Sequence, residues 1–134
     1  MSELVKRPEP TANAMSQPYW DAAAQGRLIL QTCGECGAIR HYPRLLCDRC
    51  YSDQVVWTDA TGNGVVHSWT VAHHPFHGAF ADELPYTLVT ITLDEGPRAL
   101  GRWRGDGPRL EQRVSGKFET RADGSLELVF VGAD

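Results

Sequence analysis

The chain has 134 residues, a formal net charge of −4 and 42% hydrophobic residues. That length suits one ordinary domain or two very small ones. The acidic balance argues against a nucleic-acid module, which is more often basic. No apolar run approaches the roughly 18 residues of a membrane span, and no P-loop, G-x-G-x-x-G, G-x-S-x-G or H-E-x-x-H motif occurs.

Residues 1–15 read as an irregular lead, because Pro8 and Pro10 prevent regular pairing and apolar content is low. Met1 to Arg7 shows no apolar h-region, so the expected compartment is a reducing cytoplasm. Residues 16–26 read as one short helix, with Ser16 as cap, Pro18 in the first turn and Gly26 closing it. Tyr19 and Trp20, with Ala23 and Ala24, form an apolar face that packs on the chain's own body or meets a partner.

The strongest signal follows. Cys33-Gly34-Glu35-Cys36 and Cys47-Asp48-Arg49-Cys50 contain all four cysteines of the chain, as two C-x-x-C pairs. Each pair can bend round one ion, and four thiolates make a closed tetrahedral zinc site. Gly37 suits a turn that needs positive φ. Two disulfides, a thioredoxin-like redox motif and a rubredoxin-type iron site are the rival readings. A closed four-sulfur shell leaves no position for substrate, so the expected zinc is structural. Short strands at 28–30, 39–42 and 55–57 place the pairs on a small antiparallel sheet, a zinc ribbon.

After Trp57 the texture changes. Thr61-Gly62-Asn63-Gly64 marks a turn, and five strand-like runs follow at 64–71, 86–93, 98–103, 114–120 and 126–131. Val89, Ile91 and Leu93 alternate with Thr90 and Thr92; Leu126, Leu128 and Phe130 flank Glu127 on an expected wet face. Five short Gly-punctuated strands suggest an OB-type barrel, with a sandwich as the alternative. Gly101 and Gly116 are read as points where barrel strands bend sharply. The expected fold is mainly β, with an N-terminal arm and helix over 1–27, a rubredoxin-like zinc ribbon over 28–60 and a five-stranded OB-fold barrel over 61–134.

The loop Ala72-His73-His74-Pro75-Phe76-His77-Gly78-Ala79-Phe80 holds three of the five histidines. A second metal site, a catalytic histidine, a partner-contact surface anchored by Phe76 and Phe80, and plain packing over the barrel mouth are its competing readings. Asp82 and Glu83 complete no recognisable triad, and no catalytic residue is assigned. Seven of the 13 Lys and Arg residues lie in the window 98–121, which carries a formal +4. Such a window can hold phosphates or form a solvated face. Trp103 is a single candidate stacking platform beside it.

The order helix, ribbon, barrel resembles the acyl-CoA-associated zinc-ribbon/OB-fold family, long catalogued as a domain of unknown function. The matching stretches are Pro18-Tyr19-Trp20, Gly26-Arg27-Leu28, the cysteine pairs with Gly37, and Tyr42-Pro43-Arg44. Trp57, Gly62-x-Gly64-Val65-Val66-His67-Ser68 and Pro85-Tyr86 extend the match over residues 17–131. The resemblance implies a non-catalytic partner of a thiolase-like enzyme, cleaving or forming C–C bonds in acyl-CoA, that lines the passage for CoA. From their charge, and not from a matched motif, Arg98, Arg102 and Arg104 are expected to meet the CoA phosphates beside Phe76 and Phe80. Tyr19, Trp20, His73, His74 and His77 are expected to contact the partner. A homodimer within a hetero-oligomer is one arrangement it allows. A stand-alone zinc-ribbon/OB nucleic-acid binder is the alternative.

Overall fold

The computed structural model describes residues 7–133. Among these are one α-helix, α1 (Gln17–Ala24), a 3-10 helix (Gly78–Glu83) and eight strands. Strands β1 (Ile29–Cys33), β2 (Ile39–Arg40) and β3 (Val55–Asp59) form an antiparallel ribbon in the order β2-β1-β3. Strands β4 (Asn63–Ala72), β5 (Tyr86–Leu93), β6 (Arg98–Trp103), β7 (Arg113–Thr120) and β8 (Leu126–Gly132) close a barrel in the order β4-β5-β6-β8-β7. β6 and β8 run parallel and the other neighbours antiparallel. The mainly β chain with helix, ribbon and OB barrel is therefore the fold observed.

The alternation in β5 buries Val89, Ile91 and Leu93 inside the barrel. Phe130, fully buried on β8, sits between two glycines. A Cβ at Gly101 would come within 2.7 Å of its ring, and one at Gly116 within 2.4 Å. These glycines therefore make room for an aromatic ring, a different reason from the bending expected of them. The opposite face of β8 departs from the sequence reading as well. Glu127 is not on a wet face; its side chain is only 12% exposed and ion-paired. Trp103 is buried in the core, its indole N–H donating to the Asp106 carbonyl, so it offers no stacking surface.

α1 is shorter than expected at both ends. Ser16 occupies the cap position without a side-chain cap hydrogen bond. Its N–H donates to Asn13 Oδ1, and its hydroxyl accepts from the Asn13 N–H, so the turn is built on Asn13. Gly26, at φ +78°, closes the helix as expected. The irregular lead lies partly outside the described residues; from Arg7 onward it has no regular secondary structure before the turn into α1. It is nonetheless fastened to the barrel, as described below.

Helix, ribbon and barrel meet at one aromatic joint. Tyr19 of α1 is 5% exposed and contacts His41 of the ribbon (centroids 5.4 Å apart) and Phe118 of β7 (6.3 Å). His41 stacks at 3.9 Å on Tyr42, whose hydroxyl accepts the Leu100 N–H at 2.9 Å from β6. Burial holds the His41 imidazole down at about 4 and pushes the Tyr19 phenol up. The helix thus docks on its own ribbon and barrel.

Candidate functional site

Both C-x-x-C pairs sit in tight turns whose N–H groups face sulfur. Glu35 and Cys36 donate to Cys33 Sγ at 3.5 Å, and Arg49 donates to Cys47 Sγ at 3.4 Å. The residue after each second cysteine has positive φ: Gly37 at +77° and, in the other turn, Tyr51 at +62°. Gly37 was legible. Tyr51 was not, because nothing in its type signals a conformation that side chains rarely adopt. Its ring is 76% exposed.

The four sulfurs lie within 4.8 Å of one another. Cys33 and Cys50 Sγ are 3.5 Å apart, and Cys36 and Cys47 Sγ 3.6 Å. A tetrahedron with Zn–S near 2.3 Å has edges of about 3.8 Å, so this cage fits zinc. Disulfide bonding needs S–S of about 2.05 Å, and all four cysteines are free. The Cys36 and Glu35 N–H groups hold Cys33 down at about 6. The Ser52 N–H acts to lower Cys50, but the neighbouring Cys33 and burial outweigh it and push Cys50 up to about 12. Four sulfurs so close cannot all ionise without a cation, and a divalent ion supplies that charge. Cys33, Cys36, Cys47 and Cys50 would hold it as a closed crosslink between the two turns.

The histidine loop does not gather into a site. His73, His74 and Phe76 are exposed, Phe76 at 79%, so this stretch does not pack over the barrel mouth. His77 Nδ1 accepts the Ala79 N–H and caps the 3-10 helix. Phe80 turns inward, with its ring 5.8 Å from Tyr86.

The basic window does not form one free patch either. Arg104 pairs with Glu119 at 2.7 Å, and Arg113 pairs with Asp94 at 2.9 Å. Arg102, expected to meet phosphate, is 12% exposed and engaged with Glu83 and Glu127, its guanidinium 4.3 Å over the Tyr86 ring. Arg121 reaches the same two carboxylates at 2.8 and 3.2 Å. Arg7 completes the group from the N-terminal arm, pairing with both and lying 4.5 Å over Phe80. Burial acts to raise the Glu83 carboxyl, but the Arg7 hydrogen bond and three guanidiniums outweigh it and hold it below the usual carboxylate range. Arg98 remains exposed, with no ion pair among the described residues. Tyr19, expected at a partner surface, is buried within the chain, whereas Trp20 is half-buried.

A family model described as the ChsH2 rubredoxin-like zinc ribbon domain matches residues 20–56, and one described as the ChsH2 C-terminal OB-fold domain matches residues 57–130. The chain belongs to this ChsH2 zinc-ribbon/OB-fold family. Among solved structures, a chain described as an Ltp2-ChsH2(DUF35) aldolase is 33% identical with a TM-score of 0.82, covering 94% of this chain and 100% of that one. A DUF35-family protein of unknown function from Sulfolobus solfataricus, 15% identical, covers 90% of this chain and 86% of that one at a TM-score of 0.63, and shows the shared fold. A probable enoyl-CoA hydratase alpha subunit from Thermomonospora curvata is 39% identical over 76% of this chain. The 3-oxo-4,17-pregnadiene-20-carboxyl-CoA hydratase alpha subunit of Mycobacterium tuberculosis is 27% identical over 74%. The chain covers 31% of the length of each of these two relatives. Membership in the ChsH2 family and the four-sulfur cage together support a structural zinc. No helix among the described residues is long and apolar enough to cross a membrane.

Proposed function

We propose that the chain is an accessory subunit of a complex acting on acyl-CoA, with a thiolase-like aldolase as partner, working in the cytoplasm. The supporting observation is its 33% identity to a solved aldolase-complex chain, with 100% of that chain covered. The CoA-thioester names of the two curated relatives agree with the same substrate class, one of them steroid-derived. In this reading the partner supplies the C–C bond chemistry. The zinc-stapled chain completes the assembly and steadies the CoA arm.

Within that reading we assign the roles by exposure and pairing. Phosphate contact falls to Arg98 and Arg104, both exposed on or just beyond β6. Arg102 and Phe80 serve instead by holding the barrel's own N-terminal arm. Partner contact falls to His73, His74 and Phe76 at the tip of the β4–β5 hairpin, with His77 holding the loop's shape and Trp20 at the arm's edge.

Two measurements test the proposal. Tagged chain purified from its native host should bring down a thiolase-like protein in stoichiometric amount; a solitary chain, or acyl-CoA turnover by the chain alone, overturns the accessory role. Titration of CoA into the purified pair should show about tenfold weaker binding for the Arg98→Ala/Arg104→Ala variant, the loss expected from two partly exposed charge contacts of under 1 kcal/mol each. Unchanged affinity rejects the phosphate assignment and leaves the assembly role standing.

A further inference from the structure

Barrels of the OB type bind ligands on the face of their second and third strands, between the loop after the first strand and the loop before the last. Here that face comprises β5 and β6, the 3-10 helix Gly78–Glu83 and the turn between β7 and β8. A groove of about 270 Å³ runs along it, lined by Phe80, Tyr86, Leu88, Leu100, Arg102 and Arg7 itself. Five of those residues belong to the barrel. Arg7 comes from the other end of the chain.

Arg7 is held on every side. Its guanidinium pairs with Glu83 and Glu127 and lies over the Phe80 ring, while its backbone N–H donates to Asp123 Oδ2 at 3.2 Å. Its side chain is 10% exposed. Two carboxylates and an aromatic face form a slot suited to a planar cation. We propose that the barrel's ligand face carries a guanidinium-binding slot that the chain fills with its own Arg7. The face thereby binds an arginine-bearing extended segment and is closed to other ligands while the arm is in place.

The charge arrangement makes this occupancy reversible. Glu83 and Glu127 are each shared among three guanidiniums. When Arg7 leaves, Glu83 keeps Arg102 and Arg121 at 3.2 and 2.8 Å, and Glu127 keeps the same pair at 3.4 and 3.2 Å. No carboxylate is left buried and unpaired, which is the usual large cost of breaking such a cluster. With Arg7 bound, the five charges sum to +1; without it, the remaining four balance. A strap of this kind can be withdrawn, or replaced by an arginine from elsewhere, without disturbing the barrel.

The test uses the full chain. Hydrogen exchange read by NMR should show the residue-7 amide, which donates to Asp123 Oδ2, exchanging at least about tenfold faster in Arg7→Ala than in the wild type, with barrel strands and zinc content unchanged. A synthetic peptide of residues 1–12 titrated into the Arg7→Ala chain should bind, and the same peptide carrying Arg7→Ala should bind at least about tenfold more weakly. The wild-type chain, its slot filled in cis, should take up neither peptide. Adding Glu83→Gln and Glu127→Gln to the Arg7→Ala chain should abolish the difference between the peptides. A residue-7 amide equally protected in wild type and Arg7→Ala overturns the proposal. So does an Arg7→Ala chain that binds both peptides equally, or neither. None of these outcomes depends on the partner proposed above.

Discussion

At Gly116 an added methyl group would sit 2.4 Å from the Phe130 ring, and at Gly101 it would sit 2.7 Å away. Both backbones belong to a closed barrel, so neither the ring nor the strands can retreat far. Gly116→Ala should therefore destabilise the protein by about 1–3 kcal/mol, the usual cost of overpacking, read as a lower midpoint in urea. The double variant Gly116→Ala/Phe130→Leu should recover part of the loss, because the clash is with this ring. His41 gives a second residue-scale outcome. Its folded-state value near 4 lies below the ordinary 6.5. Between those values the unfolded chain takes up a proton that the folded chain refuses, so stability is present above pH 6.5 and is lost as pH falls toward 4. The loss should reach at most about 3 kcal/mol by urea denaturation across that window. His41→Phe should flatten the curve.

The ribbon depends on its ion more than on its own packing. It consists of three strands, one of them two residues long, and a segment that small rarely supports itself without a staple. One equivalent of zinc is expected in purified protein. Strong chelator or Cys47→Ser should abolish the ribbon's amide protection while the barrel strands keep theirs. Elements of this kind were legible because their signals are local. Cysteine spacing marks the two turns, and alternation marks β5, whose bounds match the sequence reading, as do those of β6. What escaped was long-range. Glu127 reads as solvent-facing in its own strand, yet its partner Arg7 lies 120 positions away. Tyr19 reads as a candidate partner contact because the residues that bury it, His41 and Phe118, come from the ribbon and from β7. The basic window looked free because counting charges along a strand does not reveal the carboxylates beside it. Likewise Tyr51 carried no sign of its turn conformation, since the fold imposes it.

At the scale of the whole molecule, the joint between ribbon and barrel has one directional bond at its centre, from the Leu100 N–H to the Tyr42 hydroxyl. Leu100 sits on the half of β6 that pairs with β5 but not with β8, so this amide takes its partner from the ribbon. Tyr42→Phe keeps the ring against His41 and removes that amide's acceptor. The expected cost is about 0.5–1.5 kcal/mol, because the bond is partly exposed and water can take its place, with ribbon and barrel separating into two transitions when unfolding is followed by Trp fluorescence and by zinc release; a single unshifted transition would place the coupling elsewhere. The barrel is also unevenly closed. β7 runs beside β4 only at Asn63–Val65, and Glu111 and Gln112 continue the bonding as far as Val66. Beyond that point, among the described residues, β5 is the sole strand beside β4, and Trp69 and Val71 stand 40% and 43% exposed. The run His67-Ser68-Trp69-Thr70-Val71-Ala72 contains no lysine, no acid and no proline, the residues that ordinarily keep such ledges from sticking to one another. Concentrated solutions of the isolated chain are thus exposed to edge-on stacking, and a lysine at Thr70 is the smallest change that would guard against it.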